Sequence, residues 1–350
     1  MIKATVAFTG VDSIENPYPG LSVIRSIQDS KEFEGKVVVL TYGALCTGVY
    51  QKSYINQVYL IPFPSEPEGY LFSRLQEIHA KHRLDIIIPC LDSEIATYAR
   101  LKPGLNELGI KVLVPSEESV KARAKIFLAE FCRQNGFDCP KTYVINQIKE
   151  MEHYAADIHY PFMLKGNIID CAKVYNFEEA GVFFHRLSYA WGLPLVMQEY
   201  VDGEEYDIAI VANEESEIVS KVVIKKIGLT KAGKAFAGVT IEGQEFDQLA
   251  GSVVKALKWQ GPLELEIRRN EDLNKTYIIE INARMPAWIS ATRGAELNLP
   301  LINLKLALGE KLQPIKQYKT GVMFVRITND AFCGMEELTQ LNLKGELSWS

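Results

Sequence analysis

The sequence has few cysteines and few histidines, and neither type forms a recognisable site. The six cysteines are scattered through 350 residues with no C-x-x-C pair. That density is too low for a disulfide scaffold, so we expect a reducing, cytoplasmic setting. The five histidines fall in none of the motifs described below. A histidine-ligated metal centre and a Ser-His-Asp hydrolase therefore have no support in the sequence.

Long apolar runs and an excess of positive charge are also missing. The apolar runs have the length of strands, far below the roughly 18 residues that suggest a membrane span, and no targeting segment is visible. The formal net charge is -6 and the pI is near 5.6, which argues against the basic surface typical of nucleic-acid binding. We expect neither a membrane nor a nucleic acid as a partner.

The first third of the chain alternates short apolar strands with helical segments. This alternation predicts a Rossmann-like parallel sheet, and a chain of this length should hold two or three packed subdomains. The first loop, residues 9–20, lacks G-x-G-x-x-G, so the sequence disfavours a NAD-dependent dehydrogenase. Asp92 and Glu94 follow the fourth strand and fit the cap of the next helix, with substrate contact as the alternative.

The stretch GPLELEIRRNEDLNKTYIIEINAR predicts two strands joined by a turn. Because strand side chains repeat with period two, the hairpin should bring Glu266 close to Glu280, with Asn282 on the same face. Two carboxylates buried side by side need a cation, and Mg²⁺ prefers carboxylates together with nucleotide phosphate oxygens. The pattern predicts an all-oxygen metal site, with the guanidinium of Arg284 on its rim.

The other interpretation of this hairpin is a polar face that merely meets water. We expect that of Glu264 and Arg268, whereas Glu280 interrupts an apolar run typical of a central strand. The pattern G-x-x-x-x-E, a turn, and x-I-E-I-N-x-R resembles the metal-binding hairpin of the ATP-grasp superfamily. The similarity is to the branch with biotin carboxylase, carbamoyl phosphate synthetase and D-alanine ligase.

The resemblance extends over nearly the whole chain and implies both α/β and α+β architecture. Residues 1–118 would form the N-terminal Rossmann-like domain that precedes the ATP-grasp fold. A two-lobed ATP-grasp fold with antiparallel sheets would follow. Its small lobe and lid would span 119–200, and its large lobe, with the metal hairpin and the C-terminal tail, would span 201–350. ATP would bind between the lobes with Mg²⁺, or with Mn²⁺ in its place.

In the resembled family, lysines contact the nucleotide phosphates, and Lys125 and Lys165 match their positions. Lys125 belongs to a helix predicted over 121–135, and Lys165 ends the apolar strand of YPFMLKG. The loop that follows, GNIIDCAKVY, has one glycine where the family has a glycine-rich lid. We expect a tight turn over 170–173, in which Lys173 supplies charge in place of the missing backbone amides.

The segment PLVMQEYVDGEEYDIAIVA predicts a strand, a turn and a second strand. In the resembled family this segment holds the nucleoside. The resemblance implies that the backbone at Glu199 and Val201, beside Gln198, meets adenine. Glu205 would accept hydrogen bonds from the ribose hydroxyls, with Glu204 the alternative if the register is shifted by one.

The resemblance also implies the reaction. Lys165 and Arg284 would act on the transferring phosphoryl group, and Arg293 is a candidate anchor for a substrate carboxylate. The predicted activity joins a small-molecule carboxylate to an amine through an acyl phosphate, with release of ADP and phosphate. Two alternatives stay open: a carboxyphosphate-forming enzyme, and a nucleotide-binding partner protein with little turnover because of the glycine-poor loop. The sequence is compatible with a homo-oligomer.

We predict that Glu280→Gln abolishes ADP formation and leaves the fold intact. The change is isosteric, and it removes like-charge repulsion from the metal-free site, so thermal stability should hold or rise. ADP release and the melting temperature test this together. Undiminished turnover in the variant would exclude Glu280 as a metal ligand.

Overall fold

The computed structural model describes residues 1–14, 17–167, 170–230, 233 and 235–349. Within these ranges the strands form sheets of five, four and six strands, in agreement with the predicted α/β and α+β fold class. Ile168 and Ile169 of the predicted lid lie outside the described residues. In the described part of the chain, no helix combines the length and apolarity needed to cross a membrane.

The N-terminal segment forms a parallel sheet covered by helices, as predicted. Its elements are β1 (Thr5–Phe8), α1 (Gly20–Gln28), β2 (Lys36–Thr41), β3 (Gln57–Leu60), α2 (Glu68–His82), β4 (Ile86–Ile88), α3 (Asp92–Glu107) and α4 (Glu117–Ala122). The four strands pair in parallel in the order β3-β2-β1-β4. They are continuous apolar runs because helices bury both faces of the sheet.

The second sheet is small and antiparallel, with the order β5-β8-β6-β7. Its segment comprises α5 (Lys125–Asn135), β5 (Thr142–Ile145), α6 (Ile148–Ile158), β6 (Phe162–Lys165), β7 (Cys171–Val174), α7 (Phe177–Trp191) and β8 (Leu195–Glu199).

Two local predictions in this segment are wrong. The single helix over 121–135 is two helices, because the extended backbone of Ala124 separates α4 from α5. Lys125 is therefore the first residue of α5 rather than an interior one. The tight turn over 170–173 is mostly strand, because the side chains of Ala172 and Val174 enter the core as part of β7.

The third sheet is antiparallel and carries the predicted metal hairpin. Its segment comprises β9 (Glu204–Ala212), β10 (Ile218–Leu229), β11 (Ala235–Ile241), α8 (Asp247–Ala256), β12 (Gly261–Asn270), β13 (Lys275–Asn282), α9 (Ser290–Gly294), α10 (Leu299–Ala307) and β14 (Met323–Val325). The strand order is β13-β12-β9-β10-β11-β14. At the turn before β9, Gly203 has φ +138, and a Cβ there would lie 2.2 Å from the carbonyl oxygen of Arg269. Only glycine fits that turn.

The C-terminal residues pack against the N-terminal sheet. Residues Met335–Lys344 form α11 and Glu346–Ser348 form β15, which pairs antiparallel with β3 and becomes the edge of the N-terminal sheet. Leu341 and Leu347 are buried in the N-terminal core. The C-terminal residues thus pack against the N-terminal sheet. The predicted domain boundaries stay a prediction.

Two leucines of α11 make a matched test of this docking. Leu341 is fully buried and Leu343 is 81% exposed. Leu341→Ala should lower the free energy of unfolding by about 3 kcal/mol through lost burial and a residual cavity, whereas Leu343→Ala should change it by less than about 0.5 kcal/mol. Urea unfolding measures both. Equal losses in the two variants would contradict the docked position of α11.

Candidate functional site

Carboxylates from neighbouring strands lie on one face of the six-stranded sheet. In β12, Leu263 and its alternate neighbours enter the core, so Glu264 and Glu266 point to the opposite face. Across the hairpin, Glu280 lies directly opposite Glu266, and Asn282 lies opposite Glu264. We call this surface the acid face. It brings together the three residues predicted to bind a metal, and their role as ligands stays a prediction.

Asp207 adds a further carboxylate to the acid face, one that was not predicted from the sequence. It lies on β9 opposite Glu266 and is 2% exposed. Ligand oxygens of Asp207, Glu264 and Glu266 lie within 4.8 Å of one another. The signal for it was present, because Asp207 interrupts the apolar run YDIAIVA in the same way that Glu280 interrupts YIIEI.

A lysine from β10 lies among these carboxylates. The Nζ atom of Lys226 is 2.8 Å from Oε2 of Glu266, 3.0 Å from Oδ1 of Asp207 and 3.6 Å from Glu205. Burial alone would lower the pKa of Lys226, but Asp207 and Glu266 raise it above its ordinary value. Burial would likewise raise the pKa of Glu266, yet Lys226 holds it below its ordinary value. The lysine and Glu266 are therefore both charged at neutral pH.

Glu264 is buried rather than solvent-facing, so the expectation that it meets water is wrong. Its carboxylate accepts hydrogen bonds from Nε1 of Trp288 at 3.0 Å, Nδ2 of Asn282 at 3.0 Å and Nη1 of Arg284 at 2.7 Å. These donors follow Glu264 by 18 to 24 residues, beyond the reach of the local pattern used in the prediction. Glu264 is an anchor for residues that follow the metal hairpin.

Arg284 joins the acid face to the N-terminal sheet. Its Nε atom lies 2.9 Å from Oδ2 of Asp92, and Nη1 lies 2.7 Å from Glu264. Arg123 pairs with the other oxygen of Asp92 at 3.0 Å. Asp92 therefore binds two arginines instead of capping α3, and Glu94 supplies the cap by accepting from the backbone N–H of Leu91 at 3.0 Å. The predicted contact of Arg284 with a phosphoryl group stays a prediction.

The two lysines predicted to bind phosphate lie near Glu280. Lys125, at the start of α5, has its Nζ atom 3.3 Å from Oε1 of Glu280. Lys165 ends β6 and is 6% exposed. Burial lowers the pKa of Lys165, the charge of Glu280 opposes this shift, and the charge of Lys125 adds to it. Two lysines, one at the start of α5 and one at the end of β6, thus lie near one acid of β13, which suits binding of a polyphosphate.

Lys173 lies against Tyr200, in the segment between β8 and β9 that the sequence predicts to hold adenine. Its Nζ atom is 3.3 Å from the ring centroid of Tyr200, and the guanidinium of Arg268 is 5.0 Å from the same ring. Arg268 also donates to the carbonyl oxygen of Val201 at 2.7 Å, so the expectation that Arg268 faces water is wrong. The predicted role of Lys173 toward phosphates remains a prediction.

The hinge residues predicted to meet adenine are held by side-chain contacts. Gln198 is buried and donates through Nε2 to Oγ1 of Thr142 at 3.1 Å. Glu199 accepts through Oε2 from the backbone N–H of Lys141 at 3.1 Å. Arg268 holds the backbone carbonyl of Val201. These contacts lie in the segment that the sequence predicts to bind adenine.

Glu205 and Glu204 lie on opposite faces of β9. Glu205 pairs with Arg268 and lies on the same face as Asp207. Glu204 accepts from the hydroxyl of Tyr206 at 2.8 Å, and the Tyr206 side chain belongs to the core on the other side of the sheet. The geometry favours Glu205 over Glu204 as the ribose contact, which stays a prediction.

Arg293, the predicted carboxylate anchor, pairs with Asp29 at the end of α1. It therefore lies in a contact between α9 and the N-terminal segment instead of beside Arg284. The role of Arg293 toward a substrate remains a prediction.

A cleft of about 590 Å³ opens beside Lys125. It lies where the start of α3 faces α4 and the start of α5. Because Lys125 lines the cleft, the ion pair of Lys125 with Glu280 lies at its edge. Its lining residues are Asp92, Ser93, Ala96, Glu117, Glu118, Val120, Lys121, Arg123, Ala124, Lys125 and Asn167. The size suits a small metabolite.

The donor set fits a hard divalent cation. Glu266 and Glu280 offer carboxylate oxygens from paired strands, which is the ligand type that Mg²⁺ and Mn²⁺ prefer. Asn282 directs Nδ2 toward Glu264 and Glu266, at 3.0 and 2.9 Å, so its amide would rotate to offer oxygen. The lysines Lys125 and Lys165 would meet phosphate oxygens next to these acids.

The chain is similar to known proteins in sequence and in fold. Residues 193–329 match the family described as "ATP-grasp in the biosynthetic pathway with Ter operon". A carbamoyl phosphate synthase large chain from Thermoanaerobacter is 22% identical over 242 residues, which is 65% of this chain and 22% of that protein. The chain therefore spans about a fifth of the length of this relative.

Solved structures with a similar fold cover most of the chain. The biotin carboxylase domain of Hydrogenobacter thermophilus 2-oxoglutarate carboxylase, in complex with MgADP, ADP and bicarbonate, superposes with a TM-score of 0.70 at 15% identity, over 92% of this chain and 74% of that one. An L-amino acid ligase from Bacillus licheniformis gives a TM-score of 0.65 at 16% identity, over 88% and 75%.

Removing the charge of Glu264 should destabilise the protein. Glu264→Gln leaves the buried guanidinium of Arg284 with Asp92 as its remaining carboxylate, and we expect the free energy of unfolding to fall by about 2 kcal/mol. Urea unfolding measures the loss. Glu271→Gln, in the exposed turn of the hairpin, is the matched control and should stay within about 0.5 kcal/mol of the native protein. Equal stability of both variants would contradict the anchoring role of Glu264.

Proposed function

We propose that the chain is an ATP-dependent carboxylate-amine ligase of the ATP-grasp superfamily, because residues 193–329 match an ATP-grasp family and similar folds cover most of the chain. The observation that carries the proposal is the meeting of carboxylates and lysines at Glu280. This carboxylate lies opposite Glu266 in the large lobe and 3.3 Å from Lys125, with buried Lys165 nearby. Paired acids for a cation beside paired lysines for phosphates suit Mg-ATP.

Glu266, Glu280 and Asn282 would hold Mg²⁺, with Mn²⁺ able to take its place. When bound, the ion would neutralise charge that develops on the phosphate oxygens during transfer. Lys125 and Lys165 would bind and orient the phosphates from the small lobe. The hinge at Glu199 and Val201 would hold the adenine, and Glu205 the ribose, so that the γ-phosphate points to the acid face.

The proposed reaction has two steps. A carboxylate oxygen of the first substrate attacks the γ-phosphorus of ATP, the bond from phosphorus to the bridging oxygen breaks, and ADP leaves. The nitrogen of an amine then attacks the acyl carbon, phosphate leaves, and a proton passes from nitrogen to solvent. Arg284, held by Asp92 and Glu264, would steady the transferring group through its guanidinium.

The cleft beside Lys125 is the proposed place for one of the two small-molecule substrates. It is bounded by the N-terminal segment at Ser93 and by the small lobe at Lys125 and Asn167. A substrate in it would lie close to the phosphates that Lys125 binds. This proximity is what an acyl phosphate mechanism requires.

Carboxyphosphate formation is the second candidate activity. One neighbour by fold was solved with MgADP and bicarbonate, and bicarbonate is itself a carboxylate acceptor for the γ-phosphate. The same residues would serve this reaction, because only the first substrate changes.

The test is phosphate release from Mg-ATP in the presence of pooled carboxylic acids, pooled amines, both together, or bicarbonate. We expect release above background only when an acid and an amine are both present, and none from Glu280→Gln. Release with bicarbonate alone would favour the carboxyphosphate reaction. ATP binding without phosphate release under any condition would overturn the proposal and favour a nucleotide-binding partner protein.

A further inference from the structure

Lys226 lies where the proposed metal site needs an open carboxylate oxygen. Its Nζ atom is 2.8 Å from Oε2 of Glu266. The other oxygen, Oε1, accepts from Nδ2 of Asn282 at 2.9 Å. Both oxygens of Glu266 are therefore engaged by side chains of the protein. Rotation of the Asn282 amide would open Oε1 to a divalent cation, and the ammonium on Oε2 would then lie close to that cation. Repulsion between two cations on one carboxylate favours withdrawal of the ammonium.

The same lysine compensates the charge of Asp207. Burial raises the pKa of Asp207, and the ammonium of Lys226, 3.0 Å from Oδ1, opposes that shift and favours the charged carboxylate. Asp207 and Glu266 are opposite each other in the sheet, so without a cation they would be two facing negative charges of low solvent exposure. Lys226, whose side chain is 6% exposed, supplies that cation from within the chain.

The strand that carries Lys226 is irregular at this point. The pairing of β10 with β11 shifts register between Lys226 and Gly228, and again after Gly228. A Cβ at Gly228 would lie 2.6 Å from the ring of Phe236, so glycine is needed for the irregular pairing. Such bulges change the direction of a side chain next to a site. The irregular pairing over residues 226–228 thus affects where the ammonium of Lys226 lies.

We propose that Lys226 is an internal counter-ion of the metal-free site, which leaves Glu266 when a divalent cation binds and keeps Asp207 as its partner. The inference rests on the proposed function, because it takes Glu266 as a metal ligand. A bare cation must displace the ammonium without help. Nucleotide phosphates that arrive with the cation bring negative charge that attracts the released ammonium, so Lys226 couples metal binding to nucleotide binding.

The experiment measures Mn²⁺ binding by electron paramagnetic resonance in the absence of nucleotide. Lys226→Met removes the competing charge and should tighten Mn²⁺ binding at least tenfold relative to the native protein. Lys225→Met is the matched control. Lys225 is the preceding residue of the same strand, it points to the opposite face and pairs with Glu204, and its loss should leave Mn²⁺ affinity unchanged.

A second variant guards against misfolding of the first. Lys226→Met combined with Asp207→Asn removes one charge of each sign, so the net charge of the acid face stays that of the native protein. This double variant should also bind Mn²⁺ more tightly than the native protein. The melting temperature of each variant, measured with and without Mn²⁺, reports whether the fold is retained.

The outcomes separate this inference from the proposed function. Two results together support the proposed function and the counter-ion role. The native protein binds Mn²⁺ more tightly when ATP is present, and both Lys226 variants bind Mn²⁺ more tightly than the native protein without nucleotide. Native protein that binds Mn²⁺ with ATP, while the Lys226 variants bind bare Mn²⁺ no better than native, overturns the counter-ion role alone. Absence of Mn²⁺ binding even with ATP overturns the proposed function and this inference with it.

Discussion

The acid face depends on a balance between buried carboxylates and the cations that reach them. Asp207, Glu264 and Glu266 come from two neighbouring strands of one sheet, and their burial is tolerable only because Lys226 and Arg284 lie within ion-pair distance. Lys226 lies within ion-pair distance of three carboxylates, and Arg284 contacts two. The folded protein thus holds negative charges close together, and a divalent cation can bind where several carboxylates are close.

Arg284 extends this balance beyond the sheet. By pairing with Asp92 as well as Glu264, it fixes the segment after the metal hairpin against the start of α3 in the N-terminal segment. Arg123 binds the same aspartate from the stretch between α4 and α5. Three parts of the chain therefore meet around one carboxylate, next to the cleft that borders Lys125. These ion pairs join parts of the chain that also share a common apolar core.

Local patterns predicted the parts of this site that one hairpin contains. Glu280 could be singled out because it interrupts an apolar strand, and period two placed Glu266 and Asn282 beside it. Glu264 was misjudged because its burial depends on Trp288 and Arg284, which a strand pattern does not include. The joining of the C-terminal strand to the N-terminal sheet was likewise not predictable, since strand pairing over nearly 300 residues leaves no local signal.

The central claim is that Glu266 and Glu280 bind a nucleotide-associated metal between the lobes. A crystal structure with Mn²⁺ and a non-hydrolysable ATP analogue, with the ion located by anomalous scattering, tests it most directly. We expect an ion about 2.1 Å from an oxygen of each glutamate, with Lys125 and Lys165 on the phosphates. An ion bound away from both glutamates, or phosphates that contact neither lysine, would contradict it.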